Sequence, residues 1–136
     1  MGANYLMASA LTLLRVVDSI TELSAQDAGC IAVSGSHGGT SSARYAAAAR
    51  PLLSVFNNAG VGKDGAGVAA LDLLQDVGLA ACTVSHDSAR IGDAHSTLND
   101  GIIDRVNASA AALGVTVGCS CRQALAALLE YPRRPA

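Results

Sequence analysis

The sequence has few charged residues and very few aromatic ones. Asp, Glu, Lys and Arg make up 15% of the 136 residues, the aromatic residues make up 3%, and Trp is absent. The net charge is −2 and the basic residues are scattered. The basic surface and aromatic platforms of a nucleic-acid-binding protein are therefore not predicted. A small domain with so little charged surface often hides part of it against another subunit, so a homo-oligomer is expected.

Long apolar runs and targeting signals are also missing. No run is long enough to span a membrane, so no membrane partner is predicted. The N-terminal stretch has no positively charged beginning, and its apolar residues soon meet Arg15 and Asp18. This pattern does not match a secretory signal, and a cytoplasmic location is expected.

The four cysteines form no recognisable metal or redox motif. Cys119 and Cys121 are separated by one residue, whereas zinc and redox pairs have two residues between them. Cys30 and Cys82 lie in predicted strands, where a thiol acts as a small apolar side chain. The cysteine pattern agrees with a reducing compartment.

Short apolar runs alternate with longer amphipathic segments, and apolar residues make up 51% of the chain. The short runs predict strands at Arg15–Ile20, Cys30–Ser34, Leu52–Phe56, Leu79–Val84 and Val115–Val117. The longer segments predict helices at Thr40–Arg50, Ala66–Val77, Ala94–Leu113 with a kink near Gly101, and Ser120 to about Tyr131. The segment Asn4–Leu14 fits a helix or a strand equally well.

This alternation predicts an α/β fold. Parallel strands joined by helical crossovers give a mainly parallel sheet of four to five strands with helices on both faces, similar to Rossmann and flavodoxin folds. We expect residues 1–136 to form a single three-layer domain, with a loose tail at 132–136.

The loops at the two edges of the predicted sheet differ in character. The helix-to-strand turns are short, whereas the strand-to-helix loops are long and carry nearly all the His, Lys and Asn residues. In parallel sheets these longer loops meet at the carboxyl edge, where ligands bind. The sequence therefore predicts a small-molecule site at this edge.

The first of these loops surrounds His37 with glycines. Ser36, Gly38 and Gly39 flank the histidine, and with the helix start at Thr40 their N–H groups suit an anion. His37 would then be a proton carrier beside the anion, and the alternative is an ordinary turn histidine.

The second loop matches a phosphate-binding P-loop only in part. Gly60-Val-Gly-Lys-Asp64 has the lysine, but Asn57 stands where a glycine is needed and Asp64 where Ser or Thr would bind Mg²⁺. The mismatch argues against a bound nucleotide. Lys63 and Asp64 remain candidates for substrate binding, and Lys63 is otherwise a solvated surface residue. Asn57 and Asn58 are candidate hydrogen-bond donors, or else turn caps.

The third loop is the most densely polar. His86 and Asp87 follow a buried strand, and a carboxylate suits the orientation of a histidine, either His86 or His37. Arg90 suits recognition of a carboxylate, or else pairs with Asp87 or Asp93. The other candidate substrate-binding residues of this loop are Ser85, Ser88 and Asp93. His95 is expected to lie on a helix face.

These groups favour an enzyme, a hydrolase, lyase or isomerase, acting on a small polar and anionic metabolite. His37, His86 and Asp87 would supply acid–base chemistry. A variant of this hypothesis adds a divalent metal as cofactor, held by His37, His86 and one of Asp64, Asp87 or Asp93, although no local spacing supports it. The alternative is a ligand-binding or regulatory subunit of a larger enzyme complex, without catalysis.

Overall fold

The computed structural model describes residues 12–129, which form a five-stranded sheet in the order β1-β2-β3-β4-β5. Strands β1 to β4 are parallel, and β5 runs antiparallel to β4. The fold is α/β with a mainly parallel sheet, as predicted. The strands are Leu14–Val17, Ile31–His37, Leu53–Asn57, Ala80–Val84 and Ile103–Val106.

Residues 12–129 contain five α-helices and three 3-10 helices between and after the strands. The α-helices, numbered α1 to α5, are Thr40–Ala49, Ala69–Asp76, Ala94–Asp100, Ala108–Ala112 and Cys121–Leu129. The 3-10 helices are Ile20–Glu22, Ala25–Asp27 and Lys63–Val68. Helix α2 begins three residues later than the predicted Ala66, because residues 66–68 belong to the preceding 3-10 helix and Val68 has a non-helical backbone (φ −128°, ψ 7°).

Each face of the sheet is covered by its own apolar cluster. Helices α1 and α2 cover the face that carries Ala32, Phe56 and Ala81. Helix α5, with α4 and the 115 region, covers the face that carries Val33, Val55 and Cys82. Because side chains alternate along a strand, the continuous apolar runs of β2, β3 and β4 supply both clusters at once.

The predicted long helix Ala94–Leu113 is wrong, and the chain forms helix α3, strand β5 and helix α4 instead. Gly101 ends α3 against β4, where an added Cβ would lie 2.7 Å from Val84 Cγ1. The β-branched residues that follow suit a strand, and Asn107 then caps α4 by accepting from Ala110 N at 2.9 Å. The predicted strand Val115–Val117 is also wrong, since these residues lie in the turns before α5.

Several predicted helix ends are confirmed. Helix α1 ends at Arg50, which is left-handed (φ 55°), directly before Pro51. Gly29, Gly78 and Gly114 have positive φ in the turns that lead into the next segment. Ser120, where the last helix was predicted to begin, forms a capping box with Gln123 through reciprocal bonds of 3.1 and 3.0 Å.

The strand order determines where a site can form. The four parallel strands are arranged in sequence, so their order contains no reversal that would open a crevice between adjacent loops. Among the strands of residues 12–129, β5 alone runs in the opposite direction. Because β5 is antiparallel, its first residues lie at the carboxyl edge, beside the loops that follow β3 and β4.

Two further predictions concern the ends of the chain and the membrane. The expected tail at 132–136 lies outside residues 12–129, as does nearly all of the ambiguous segment 4–14. Between residues 12 and 129, no helix has the length and apolar character needed to cross a membrane.

Candidate functional site

The three polar loops leave the sheet side by side. His37 at the end of β2 is in register with Asn57 at the end of β3, and Asn57 is in register with Val84 at the end of β4. The loops 38–39, 58–68 and 85–93 therefore share the carboxyl edge, as the sequence predicts. Their polar groups do not form one cluster, however, and the best-ordered group is built around Asn58.

Asn58 is a buried residue that joins two of the loops. It is only 5% exposed. Its side-chain oxygen accepts from Gly60 N at 2.8 Å and from His86 N at 3.1 Å. Because both donors are backbone N–H groups, the amide can face them only with its oxygen. The orientation of the Asn58 amide is therefore determined.

The same oxygen lies 3.2 Å from His86 Nδ1. An amide oxygen only accepts hydrogen bonds, so this contact is a hydrogen bond when Nδ1 carries the proton. The ring also packs 3.9 Å from the position that a Cβ on Gly60 would occupy. One side of the imidazole is thus fixed by the β3 loop.

The other side of the His86 ring faces Asp87 and solvent. Nε2 lies 3.2 Å from Asp87 Oδ1, and the His86 and Asp87 side chains are 52% and 87% exposed. Asp87 therefore contacts His86, the first of the two pairings considered for it. Because Asp87 is so exposed, its carboxylate is free to move away when another group approaches Nε2.

Asp104 completes this group from β5. Its Oδ2 accepts from Asn58 Nδ2 at 2.8 Å, and its Oδ1 accepts from Thr83 Oγ1 at 2.6 Å. Sequence reasoning missed Asp104 because its segment was assigned to a helix. The sequence did contain a signal for a strand here: residues 102–106 are rich in β-branched side chains and are followed by Asn107, a residue that commonly caps a helix.

The β3 loop has an unusual backbone. Ala59, Val61 and Asp64 have φ of 53°, 69° and 55°, although none of them is glycine. Gly62 N donates to Gly60 O at 2.8 Å, which makes Val61 the centre of a three-residue turn. Each such conformation costs about 1–3 kcal/mol and is found mostly at functional sites and ligand-binding loops.

His37 lies apart from His86. Strand β3 separates the two strand ends, which places the two histidines roughly 10 Å apart across the sheet. The His37 ring lies against Gly39, where an added Cβ would be 2.5 Å from Nδ1, and it makes no hydrogen bond or ion pair within residues 12–129. In the same part of the chain no three His, Cys, Asp or Glu side chains could hold a metal together. His37, His86 and Asp87 therefore do not form the hypothesised ligand set.

The glycines beside His37 allow close backbone contacts. Gly38 N donates to Asn57 O at 3.1 Å, and a Cβ on Gly38 would lie 2.7 Å from Gly67 O. Gly39 precedes α1, and no side chain caps this helix start. The N–H groups proposed for an anion are thus at the edge of the sheet, next to His37.

Several other predicted site residues make hydrogen bonds within the fold. Asn57 is 0% exposed, donates to Ala89 O at 3.0 Å and accepts from Ala59 N at 2.8 Å. Ser36 Oγ accepts from Ile20 N at 2.9 Å. A ligand would compete with these bonds. Ser88 and Asp93 also have partners within the fold. Ser88 Oγ donates to Ser85 O and accepts from Ile102 N, and the Asp93 carboxylate caps α3.

The remaining predicted residues are accessible. Lys63, Asp64 and Arg90 are exposed, and Ser85 is half-buried between β4 and His86. Within residues 12–129, Arg90 forms no ion pair, so the proposed structural pairing with Asp87 or Asp93 is absent. These side chains are available to a ligand that approaches the edge.

A separate shallow depression lies at the opposite, amino edge of the sheet. Its volume is about 200 Å³, and its lining includes Leu52, Leu79 and Leu113. None of the polar loop residues lines it, so this depression and the polar loops lie at opposite edges of the sheet.

The cysteines differ in burial, since Cys30, Cys82 and Cys121 are buried and Cys119 is partly accessible. Burial raises the pKa of the Cys121 thiol to about 12 and raises the pKa of Cys82 well above its usual range. Cys119 is half-buried. At pH 8 a thiol with a pKa of about 12 is ionised in about one molecule in ten thousand. A role for Cys82 as a nucleophile is therefore disfavoured.

We expect iodoacetamide at pH 8 to label Cys119 at least about 100-fold faster than Cys82 or Cys121, as measured by peptide mass spectrometry. The Cys119→Ser variant should lose the fast reaction, and rapid labelling of that variant would contradict the assignment.

The raised pKa values of Cys82 and Cys121 also affect the pH dependence of stability. Both thiols contribute their full stabilisation of the fold below about pH 8.5. That stability should be lost as the pH rises toward 12.

No protein-family model, curated protein or solved structure matches the chain.

Proposed function

We propose that this protein is an enzyme in which His86 transfers protons to or from a small polar metabolite bound at the carboxyl edge of the sheet. The supporting observation is the 3.2 Å contact between His86 Nδ1 and the buried Asn58 oxygen. A half-exposed imidazole adds little to the core, so stability does not explain why a buried amide orients it. Acid–base catalysis does explain this orientation, because it requires one ring nitrogen to be held while the other faces the substrate.

In this proposal the neighbouring groups have distinct roles. Nε2 of His86 is the atom that exchanges a proton with the substrate, and Asp87 stabilises the protonated ring. Lys63 and Arg90 hold the negative charge of the substrate. His37 lies too far away to share a proton with His86, so it would contact a different part of the substrate. These roles suit a hydrolase, a lyase or an isomerase.

The first experiment is a ligand screen observed at the histidine rings. The chain contains only three histidines, so protein labelled with ¹⁵N-histidine gives three sets of ring signals. Inorganic phosphate, acetate and a panel of small carboxylates and phosphate esters are added in turn. Binding at the proposed site should move the ring signals and the backbone amide signal of His86. His95, which is exposed on α3, serves as the internal control.

Replacing His86 by Gln should then reduce turnover of a bound metabolite about 10²- to 10⁴-fold, because Gln carries no transferable proton. Product formation is followed by ¹H NMR. The matched control is His95→Gln, which changes an exposed histidine outside the Asn58 group. Equal turnover in the His86→Gln variant and the control would disprove catalysis by His86.

The second candidate is a ligand-binding or regulatory subunit that does not itself catalyse a reaction. The exposure of His86 and Asp87, 52% and 87% of their side chains, favours it, because a catalytic pair is usually more enclosed. In this case ligands would move the same NMR signals without being consumed. Binding without turnover across the whole panel would favour this candidate over the enzyme.

A further inference from the structure

We infer that Asp104 is a positioning residue of this site, and that it acts through Asn58 to hold the amide oxygen against Nδ1 of His86 and so to favour a proton on that nitrogen. The inference rests on the proposed function only in taking His86 as the working group. Asp104 itself lies one residue away from the histidine in the chain of hydrogen bonds, and it does not contact the ring.

The two ends of the Asn58 amide have different partners. An ionised carboxylate only accepts hydrogen bonds, so Asp104 Oδ2 requires the NH₂ end of the amide, at 2.8 Å. The oxygen then points to the opposite side, toward His86 Nδ1 at 3.2 Å. A reversed amide would place its oxygen against the carboxylate and its NH₂ against the N–H groups of Gly60 and His86. All of these contacts would be repulsive.

The charge of Asp104 strengthens this arrangement. Hydrogen bonds to an ionised acceptor are about twice as strong as neutral ones. The Asp104 side chain is 25% exposed, and its second oxygen is bonded by Thr83, which is fully buried. Both oxygens therefore have partners, and the carboxylate is not free to rotate away from Asn58.

A structural role alone explains this group poorly. Replacing buried polar groups by apolar ones of the same size is often neutral or stabilising, so polar groups in such places usually serve specificity or function. Here the group of Thr83, Asp104 and Asn58 ends at an exposed imidazole rather than inside the core. Asp104 lies at the start of β5, which runs antiparallel to β4, and this direction brings its carboxylate to the carboxyl edge of the sheet.

The test uses the full chain without ligand, labelled with ¹⁵N-histidine. Long-range ¹H–¹⁵N spectra at a pH where the ring is neutral measure the ratio of Nδ1–H to Nε2–H in His86. In the wild-type protein the Asn58 oxygen favours Nδ1–H and the Asp87 carboxylate favours Nε2–H, and the measured ratio reports the balance of the two. In Asp104→Ala the ratio should fall about five-fold, the factor that corresponds to the net loss of one hydrogen bond.

Two variants separate positioning from a general effect on packing. Asp104→Asn keeps the shape and an acceptor for Asn58, so it should keep the wild-type ratio within about two-fold. Thr83→Val removes the other partner of Asp104 without touching Asn58, and it should also keep the ratio. An unchanged ratio in folded Asp104→Ala would overturn the inference.

A reciprocal pair of substitutions covers the case in which Asp104→Ala fails to fold. Asn58→Asp alone would place two carboxylates face to face, and the His86 ring should then lose its fixed orientation. Adding Asp104→Asn exchanges the carboxylate and the amide and restores every hydrogen bond, so the double variant should recover Nδ1–H. Failure of the double variant to recover it, when folded, would also overturn the inference.

These measurements do not depend on turnover. If the tautomer follows Asp104 and no metabolite is ever consumed, the proposed function fails and the positioning role stands. If His86→Gln abolishes turnover while the tautomer ignores Asp104, the positioning role fails and the proposed function stands.

Discussion

Replacing Gly67 by Ala is expected to lower the free energy of unfolding by about 3 kcal/mol or more, the largest loss expected from any added methyl group in the β3 loop. A Cβ at this position would overlap the backbone oxygen of Asn58 and lie 3.0 Å from the oxygen of Val61. Both obstacles are backbone atoms, which cannot turn aside as a flexible side chain does. Gly67 N also donates to Val61 O at 2.6 Å, so the two segments cannot separate without losing this bond.

The measurement is urea and thermal unfolding followed by circular dichroism, where a loss of this size lowers the Tm by about 10 °C. Gly65→Ala is the matched control, because it makes the same change in the same loop and the added methyl group would meet nothing closer than Val68 Cγ2 at 3.9 Å. Its left-handed conformation (φ 72°, ψ 22°) should cost alanine about 1 kcal/mol. Equal losses in the two variants would show that the loop yields to the added Cβ.

The Asn107→Ala variant should be destabilised by about 4 kcal/mol, because it leaves buried backbone groups without partners. The Asn107 oxygen accepts from Ala81 N and Ala110 N at 3.1 and 2.9 Å. Its NH₂ donates to Leu71 O and Leu79 O at 3.1 and 2.9 Å. One side chain, 7% exposed, thus joins β4, α2 and the start of α4.

The matched control is Asn99→Ala, which removes an exposed asparagine that accepts from Arg122 at the surface. Exposed contacts of this kind contribute little, so this variant should stay within about 0.5 kcal/mol of the wild type in urea unfolding. A loss below about 1 kcal/mol in Asn107→Ala would mean that water replaces the four bonds, and that this part of the core is open to solvent.

The predicted fold was correct where local pattern and burial agree. The continuous apolar runs that became β2, β3 and β4 are covered on both faces, so apolarity alone identified them. Strand β5 was missed because it is an edge strand of four residues, and its half-buried Asp104 and Arg105 break the apolar run. The Ala- and Leu-rich segments on either side then favoured one long helix.

The candidate site was predicted in its parts and not in its connections. The alternation of strands and helices brought His37, the β3 loop and His86 to one edge, which follows from the direction of parallel strands alone. Which side chains touch depends on distances of a few ångströms between segments far apart in the chain. Asn58 and Asp104 are separated by 46 residues, and no local spacing records their 2.8 Å contact.

The sequence by itself determined the α/β class, the three polar loops and the edge at which they meet. These features depend on the period of apolar residues and on the glycines that end helices, both of which are local. The tertiary structure alone decided the strand order, the antiparallel direction of β5 and the partners of His86. Those depend on which buried polar groups satisfy one another across the sheet, and burial makes that choice only when the whole chain is folded.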